Sequence, residues 1–161
     1  MAEHRYLIAL GSNQRHPRHG EPEQVLSAAF ADLDREGLAL DATSPIRGSA
    51  PIGPSRRRYA NAAAIIRTRL DPPGLLAHLK AIERRFGRRP GGQRWRARVL
   101  DLDIILWSGG TFTARTLTVP HAAFRQRDFV LAPARAIAGT WRDPKTGLTI
   151  RHLAHRLRRA S

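Results

Sequence analysis

The segment from Glu83 to Trp107 constrains this chain more than any other part of its sequence. Seven arginines lie between Glu83 and Asp101 with no acidic residue among them, and an apolar strand pattern, Val99–Trp107, follows. Because successive side chains of a strand point to opposite faces, alternate residues should enter the core. The predicted core face consists of Leu100, Leu102, Ile104 and Leu106. Two carboxylates, Asp101 and Asp103, share the other face.

These residue types indicate a site for a metal-bound polyphosphate. Guanidinium groups bind phosphate oxygens, and paired carboxylates bind divalent cations. With Cα atoms about 6.5–7 Å apart, Asp101 and Asp103 are spaced to hold two Mg²⁺ ions about 3.5–4 Å apart. The alternative is a strand whose outer face simply meets water, and the neighbouring arginines favour the site. The sequence contains no glycine-rich phosphate loop, so phosphate binding would depend on arginine and metal.

Hydrophobic periodicity divides the rest of the chain into strands and amphipathic helices. Strands are predicted at 6–10, 38–47, 59–70 and 99–107, with short ones between 111 and 119, and helices at 21–36, 72–86, 129–137 and 150–159. Gly11-Ser12-Asn13 is interpreted as a turn, 48–58 as an irregular loop, and Gly37 and Gly87 as helix ends. The order β-α-β-β-α-β is typical of a split-βαβ α+β domain, predicted here as one domain over residues 1–161.

Composition and charge narrow the choice of function. The net charge of +15 suggests a polyanionic partner such as nucleic acid. Only Lys80 and Lys145 are lysines, however, and an arginine bias can also reflect the base composition of a genome. The absence of cysteine excludes disulfides and thiolate metal sites. No apolar run approaches the roughly 20 residues of a membrane span, so the cytosol is the expected compartment.

Of the histidines, His121 has the context most typical of a site residue. It follows Pro120 at a predicted strand end, where site residues are often presented, although a lone histidine is more often structural. His152 and His155, three residues apart in an arginine-rich helix, are predicted to lie at the surface.

Several segments in order along residues 6–140 form a recognisable set. They are Leu10-Gly-Ser-Asn13, Tyr59-x-Asn61-Ala62, Glu83-Arg-Arg-Phe-Gly-Arg88, Arg94-Trp95, Arg98-x-x-Asp101-Leu-Asp103-Ile104, and Val119-Pro-His121 followed by Arg127-x-Phe129. This set resembles the 6-hydroxymethyl-7,8-dihydropterin pyrophosphokinases. The resemblance implies an α+β fold, a ferredoxin-like three-layer αβα sandwich with a central, mainly antiparallel sheet. It also implies transfer of pyrophosphate from ATP to the hydroxymethyl group of the pterin in folate biosynthesis, giving the pterin diphosphate and AMP.

The resemblance implies a role for each site residue as well. Asp101 and Asp103 would hold two Mg²⁺ ions on ATP, and Arg88 and Arg98 would act with them in catalysis and bind the nucleotide. Further nucleotide contacts would come from Glu83, Ile104, Thr118, His121 and Arg127. Pterin contacts would come from Ser49, Ile52, Tyr59, Asn61, Trp95 and Phe129. The expected partners are ATP and a reduced pterin, without membrane or nucleic acid, and the expected state is a cytoplasmic monomer.

Some positions depart from the family pattern, and two alternatives to an active family member stay open. Arg96-Ala97 stands where the family usually has Gly-Pro, and Ala122 stands where an aromatic residue or proline is frequent. One alternative is an inactive relative, which the retained aspartates, Arg98 and His121 argue against. The other is a nucleic-acid-binding module on the same scaffold, which the lack of an aromatic pattern on the predicted strands argues against.

Overall fold

The structure is a computed structural model that describes residues 2–49, 58–87 and 99–160, with only the backbone of Ser49 included. The described strands are β1 (His4–Ser12), β2 (Ala39–Thr43), β3 (Arg47–Ser49), β4 (Tyr59–Thr68), β5 (Asp101–Trp107), β6 (Phe112–Ala114) and β7 (Leu117–Val119). The described helices are α1 (Pro22–Asp32), α2 (Pro72–Arg85), α3 (Asp128–Ala138) and α4 (Ile150–Ala160), with a 3₁₀ turn at Phe124–Gln126.

The central sheet is antiparallel, and its strand order places β1 between β4 and β5. The order is β2-β4-β1-β5, with β3 also paired to β4, while β6 and β7 form a separate ribbon. From Tyr6 to Gly11, each residue of β1 pairs with one residue on β4 and one on β5. The predicted α+β fold with a central antiparallel sheet is therefore confirmed.

Two hydrophobic cores cover the two faces of the sheet. Even-numbered residues of β1 and β4, such as Ile8 and Ala64, pack against α1 and α2. Odd-numbered residues, such as Leu7 and Ile65, pack against α3, α4 and Phe124. This division follows from the alternation of side chains along each strand, and it gives three layers in the order helix, sheet, helix.

Helix ends follow local chemistry, and one differs from the prediction. Helix α2 starts where the Asp71 carboxylate accepts a hydrogen bond from the Gly74 amide at 2.9 Å, and it ends just before Gly87, whose φ is +105°. The prediction that α1 extends to Glu36 is wrong, because the helix ends at Asp32. Glu36 and Gly37 both have positive φ, at 55° and 89°, which a helix cannot accommodate.

Three strand predictions also need correction. Gly11 and Ser12 belong to β1 and do not form a turn, because β4 and β5 continue the pairing to this point. The predicted strand at 38–47 is two strands, because Pro45 has no amide hydrogen for the ladder and interrupts it. Gly48 and Ser49, predicted as the start of a loop, form the end of β3. Residues 50–57 of that loop lie outside the described part.

The face assigned to Leu106 also needs correction. The pairing of β1 with β5 joins Ile8 to Ile104 but Leu7 to Leu106, so the register skips Ile105. This β-bulge reverses the alternation after Ile104. Leu106 therefore packs in the α3–α4 core, whereas Leu100, Leu102 and Ile104 pack in the α1–α2 core, as predicted.

Within these same described ranges, no helix combines the length and the apolar character needed to cross a membrane.

Candidate active site

The site begins with a row of three residues across the central strands. Gly11 on β1 pairs with Asn61 on β4 and with Asp101 on β5. Two residues earlier on β1, Ala9 pairs with Asp103. Since Gly11 has no side chain and Ala9 only a methyl group, no large side chain fills the space over the sheet between Asn61 and the two aspartates.

A larger cavity of about 630 Å³ lies over this row, a size typical of sites for small organic ligands. Its floor includes Gly11, Asn61 and the two aspartates, and its walls include Tyr59, Arg127 and Phe129. Tyr59 is 40% exposed and Phe129 is 50% exposed, and they are the large apolar side chains that the described chain leaves open to solvent. Two exposed aromatic rings at one cavity favour a flat, aromatic ligand.

A smaller cavity of about 300 Å³ lies on the other side of β5. Helix α2 contributes Leu76, Lys80 and Glu83 to its wall. The opposite wall comes from the segment after β6, with Thr116, Leu117, Thr118, His121 and Ala122, and β5 contributes residues 101–104. Lys80 and His121 supply hydrogen-bond donors suited to an anionic ligand.

The two cavities meet at the aspartate pair. Asp101 and Asp103 are the residues that line both cavities, and both side chains are partly exposed. A ligand in one cavity and a ligand in the other would therefore approach each other at these two carboxylates. This is the geometry that group transfer between two bound molecules requires.

Glu83 connects helix α2 to the strand that carries the aspartates. Its side chain is only 3% exposed, and its Oε2 atom accepts a hydrogen bond of 2.7 Å from the backbone amide of Leu102. Leu102 lies between Asp101 and Asp103, so this contact ties the aspartate segment directly to the helix.

His121 is held by backbone contacts on both sides. Its amide donates to the carbonyl of the bulged Ile105 at 3.1 Å, and its ring Nδ1 accepts a hydrogen bond of 3.2 Å from the Ala123 amide. Because Nδ1 is the acceptor, the neutral ring carries its proton on Nε2. A few residues later, the Arg127 guanidinium lies 5.6 Å from the ring centre of Phe129 at the larger cavity.

Comparison with known proteins connects this geometry to a family. Residues 7–139 match the family model described as 7,8-dihydro-6-hydroxymethylpterin-pyrophosphokinase (HPPK). The chain belongs to this pterin pyrophosphokinase family. It is an enzyme of folate biosynthesis that transfers the pyrophosphoryl group of ATP to the hydroxymethyl group of the dihydropterin.

Individual relatives agree with the family assignment. A Synechocystis protein named 2-amino-4-hydroxy-6-hydroxymethyldihydropteridine pyrophosphokinase is 36% identical over 148 residues, which cover 91% of this chain and 73% of the relative. A protein of the same name from Pseudomonas aeruginosa is 39% identical over 141 residues, covering 87% and 84%.

Solved structures show the same fold at lower identity. The crystal structure of wild-type Plasmodium falciparum HPPK-DHPS with pteroate aligns with a TM-score of 0.73 at 12% identity. The alignment covers 96% of this chain and 42% of that longer chain. At this identity, the likeness concerns the fold alone, and it agrees with the predicted αβα sandwich.

The structure brings together the site residues predicted from the sequence wherever it describes them. Glu83, Ile104, Thr118 and His121, expected at the nucleotide, line the smaller cavity. Tyr59, Asn61 and Phe129, expected at the pterin, line the larger one. Arg127, expected at the nucleotide, lines the larger cavity. Ile52, Arg88, Trp95, Arg98 and the side chain of Ser49 lie outside the described residues.

Gly11 and Lys80 are among the residues of these cavities that the sequence did not predict. Gly11 was interpreted as part of a turn, although a glycine inside a strand often marks a close approach of a ligand or of another backbone. Lys80 was not assigned to the site, because its place at the smaller cavity depends on the packing of α2 beside β5. The one signal in the sequence for a place of Lys80 at this cavity is its spacing of about one helical turn from Glu83.

The aspartate pair has the donor chemistry of an Mg²⁺ site. Carboxylate oxygens are hard ligands, and Mg²⁺ typically binds one or two of them together with phosphate oxygens and water. Both carboxylates reach the place where the two cavities meet. Among the residues that the structure describes, no group of three or more His, Cys, Asp or Glu could hold a metal.

Proposed function

We propose that pyrophosphoryl transfer takes place where the two cavities meet, with the triphosphate of ATP in the smaller cavity and the pterin in the larger one. The observation that carries this proposal is that Asp101 and Asp103 line both cavities. The hydroxymethyl oxygen forms its new bond to the β-phosphorus of ATP and gives up its proton to water, while the bond between that phosphorus and the oxygen that bridges it to the α-phosphorus breaks. AMP leaves toward the smaller cavity.

Tyr59 and Phe129 bind the two faces of the pterin ring in this proposal. Their exposed rings would lose water when a flat ligand enters between them, which stabilises the complex. Asn61, on the floor, has both donor and acceptor atoms for the polar edge of the ring. The size of the larger cavity and its aromatic walls support this placement.

Residues of the smaller cavity bind and orient the nucleotide. The Lys80 ammonium and the His121 Nε2–H donate to phosphate oxygens, and Ile104 and Thr118 face the rest of the nucleotide. Asp101 and Asp103 would hold two Mg²⁺ ions, which neutralise the phosphate charge that otherwise repels the entering oxygen. We propose that Arg88 and Arg98 contact the phosphates and that Ser49, Ile52 and Trp95 contact the pterin.

Arg127 bridges the two ligands in this arrangement. Its guanidinium lies beside Phe129 in the larger cavity, which also contains the aspartates. From there it donates hydrogen bonds to the transferred group as negative charge shifts during transfer.

The direct test measures AMP formation from Mg·ATP with and without 6-hydroxymethyl-7,8-dihydropterin, by chromatography. We expect pterin-dependent AMP and an equal amount of pterin diphosphate. Asp103→Ala should lower kcat about 10²-fold or more with the melting temperature little changed, since its side chain is partly exposed. Asp41→Ala, a strand aspartate outside both cavities, is the matched control and should retain wild-type kcat. Wild-type activity of Asp103→Ala would refute the metal assignment.

We also propose that the chain acts as a cytoplasmic monomer and needs no nucleic-acid partner. Size-exclusion chromatography with light scattering tests the monomer. A salt titration tests the alternative partner, because nucleic-acid affinity falls steeply with salt concentration. Nucleic-acid binding that survives at 0.3 M salt and inhibits turnover would favour the alternative.

A further inference from the structure

Arg125 and Asp143 form an ion pair unlike the others that the described ranges contain. The Arg125 Nε and Nη2 atoms donate to the two oxygens of Asp143 at 2.6 and 2.8 Å. The Asp143 side chain is fully buried, and that of Arg125 is 19% exposed. Among the ion pairs of the described residues, this is the one with a fully buried carboxylate.

Further hydrogen bonds hold the Asp143 carboxylate in place. Its oxygens also accept hydrogen bonds from the Lys145 amide at 3.1 Å and the Thr146 hydroxyl at 2.8 Å. Burial alone would raise the pKa of Asp143, but the hydrogen bonds from Arg125, Thr146 and Lys145 outweigh it and lower this pKa to about 2. The carboxylate is therefore an ionised, oriented acceptor at neutral pH.

The pair joins a remote turn to the segment between two site residues. Asp143 lies in the connection from α3 to α4 and lines neither of the two cavities. Arg125 lies in the 3₁₀ turn, four residues after His121 and two before Arg127. His121 lines the smaller cavity and Arg127 the larger one.

Phe124 connects Arg125 to both site residues, His121 and Arg127. Its guanidinium lies 4.6 Å from the ring centre of Phe124, which is fully buried. The Phe124 amide donates to the His121 carbonyl at 3.4 Å, and the Phe124 carbonyl accepts from the Arg127 amide at 3.3 Å. A displacement of this turn would move both site residues relative to the aspartates.

We propose that Arg125 is a positioning residue for pyrophosphoryl transfer, which with Asp143 holds the 3₁₀ turn so that His121 and Arg127 face their cavities. The inference rests on the proposed function for the roles of those two residues. Replacing a buried ion pair with uncharged residues is often neutral for stability, so the effect of the pair should be seen mainly in the geometry it imposes. A misplacement of about 1 Å can lower the rate of an enzyme about 10²-fold.

The test compares the double variant Arg125→Met/Asp143→Asn with the wild-type enzyme. Removal of both charges leaves no unpaired buried ion, and asparagine still offers hydrogen bonds to Lys145 and Thr146. We expect kcat/KM to fall at least about tenfold with the melting temperature nearly unchanged. The matched control is Arg67→Met/Asp41→Asn, which removes an exposed pair of 3.2 Å outside both cavities and should leave the kinetics unchanged.

A double-mutant cycle separates positioning from a general structural effect. In a His121→Ala/Arg127→Ala background, there is nothing left to position, so the same change at Arg125 and Asp143 should lower kcat/KM less than about twofold further. An equal fold-loss in both backgrounds would overturn the inference, as would wild-type kinetics of Arg125→Met/Asp143→Asn.

A second variant is available if Arg125→Met/Asp143→Asn fails to fold. Arg125→Lys then replaces it, since lysine keeps the charge but cannot form both hydrogen bonds to the carboxylate. Reduced kcat/KM at a wild-type melting temperature then supports positioning, and wild-type kinetics overturn it. If His121→Ala/Arg127→Ala itself has wild-type kinetics, the proposed roles of those residues have failed, and the inference fails with them. If His121→Ala/Arg127→Ala has impaired kinetics but the Arg125 variants have wild-type kinetics, the positioning inference is rejected and the proposed roles of His121 and Arg127 stand.

Discussion

Replacement of Glu83 with alanine tests whether helix α2 sets the position of the aspartate strand. The Glu83 side chain is 3% exposed, and its carboxylate accepts a hydrogen bond of 2.7 Å from the buried Leu102 amide. Alanine leaves this amide without its acceptor, which costs about 1–3 kcal/mol. The lost packing of the methylene groups adds about 1 kcal/mol. We therefore expect the free energy of unfolding to fall by about 2–4 kcal/mol, or the melting temperature by about 6–12 °C.

The assay is thermal unfolding followed by circular dichroism, with kcat measured in parallel. Glu83→Gln keeps an oxygen acceptor for the amide and should recover at least half of the lost stability. Glu36→Ala is the control, because the Glu36 side chain is 61% exposed and its change should cost no more than about 0.5 kcal/mol. A melting temperature of Glu83→Ala within about 2 °C of wild type would refute the reasoning.

Three further predictions concern the floor of the larger cavity and the acid stability of the fold. A Cβ atom at Gly11 would lie 3.4 Å from Asn61 Oδ1, so Gly11→Ala should fold but bind pterin about tenfold more weakly, with ATP affinity unchanged in calorimetry. Asn61→Ala should weaken pterin binding more than ATP binding, and equal loss of both would count against its role at the ring edge. Because the pKa of Asp143 is lowered from 3.8 to about 2, its stabilisation is complete above about pH 4 and is lost as the pH falls through about 2. In urea titrations, the advantage of wild type over Asp143→Asn, about 2 kcal/mol at pH 7, should disappear near pH 2, and a constant difference would contradict this account.

Local patterns in the sequence were sufficient for most of the fold. The alternation in β5 predicted that Leu102 enters the core and that Asp101 and Asp103 share the opposite face, because side-chain direction along a strand depends only on neighbouring residues. Asp71 and Gly87 marked the ends of α2 for the same reason. The alternation of apolar residues did not predict the break at Pro45, which separates β2 from β3.

The sequence by itself determined most of the elements, the family and the aspartate pair, since each of these depends on short motifs whose residues are close together along the chain. Only the tertiary structure decided that Ile105 is skipped in the register and that Leu106 changes faces, because a bulge exists only relative to the strand beside it. The same holds for the open row at Gly11 and the pairing of Arg125 with Asp143. Cavities and buried ion pairs form between residues far apart in sequence, so their partners are set by packing, which no local pattern encodes.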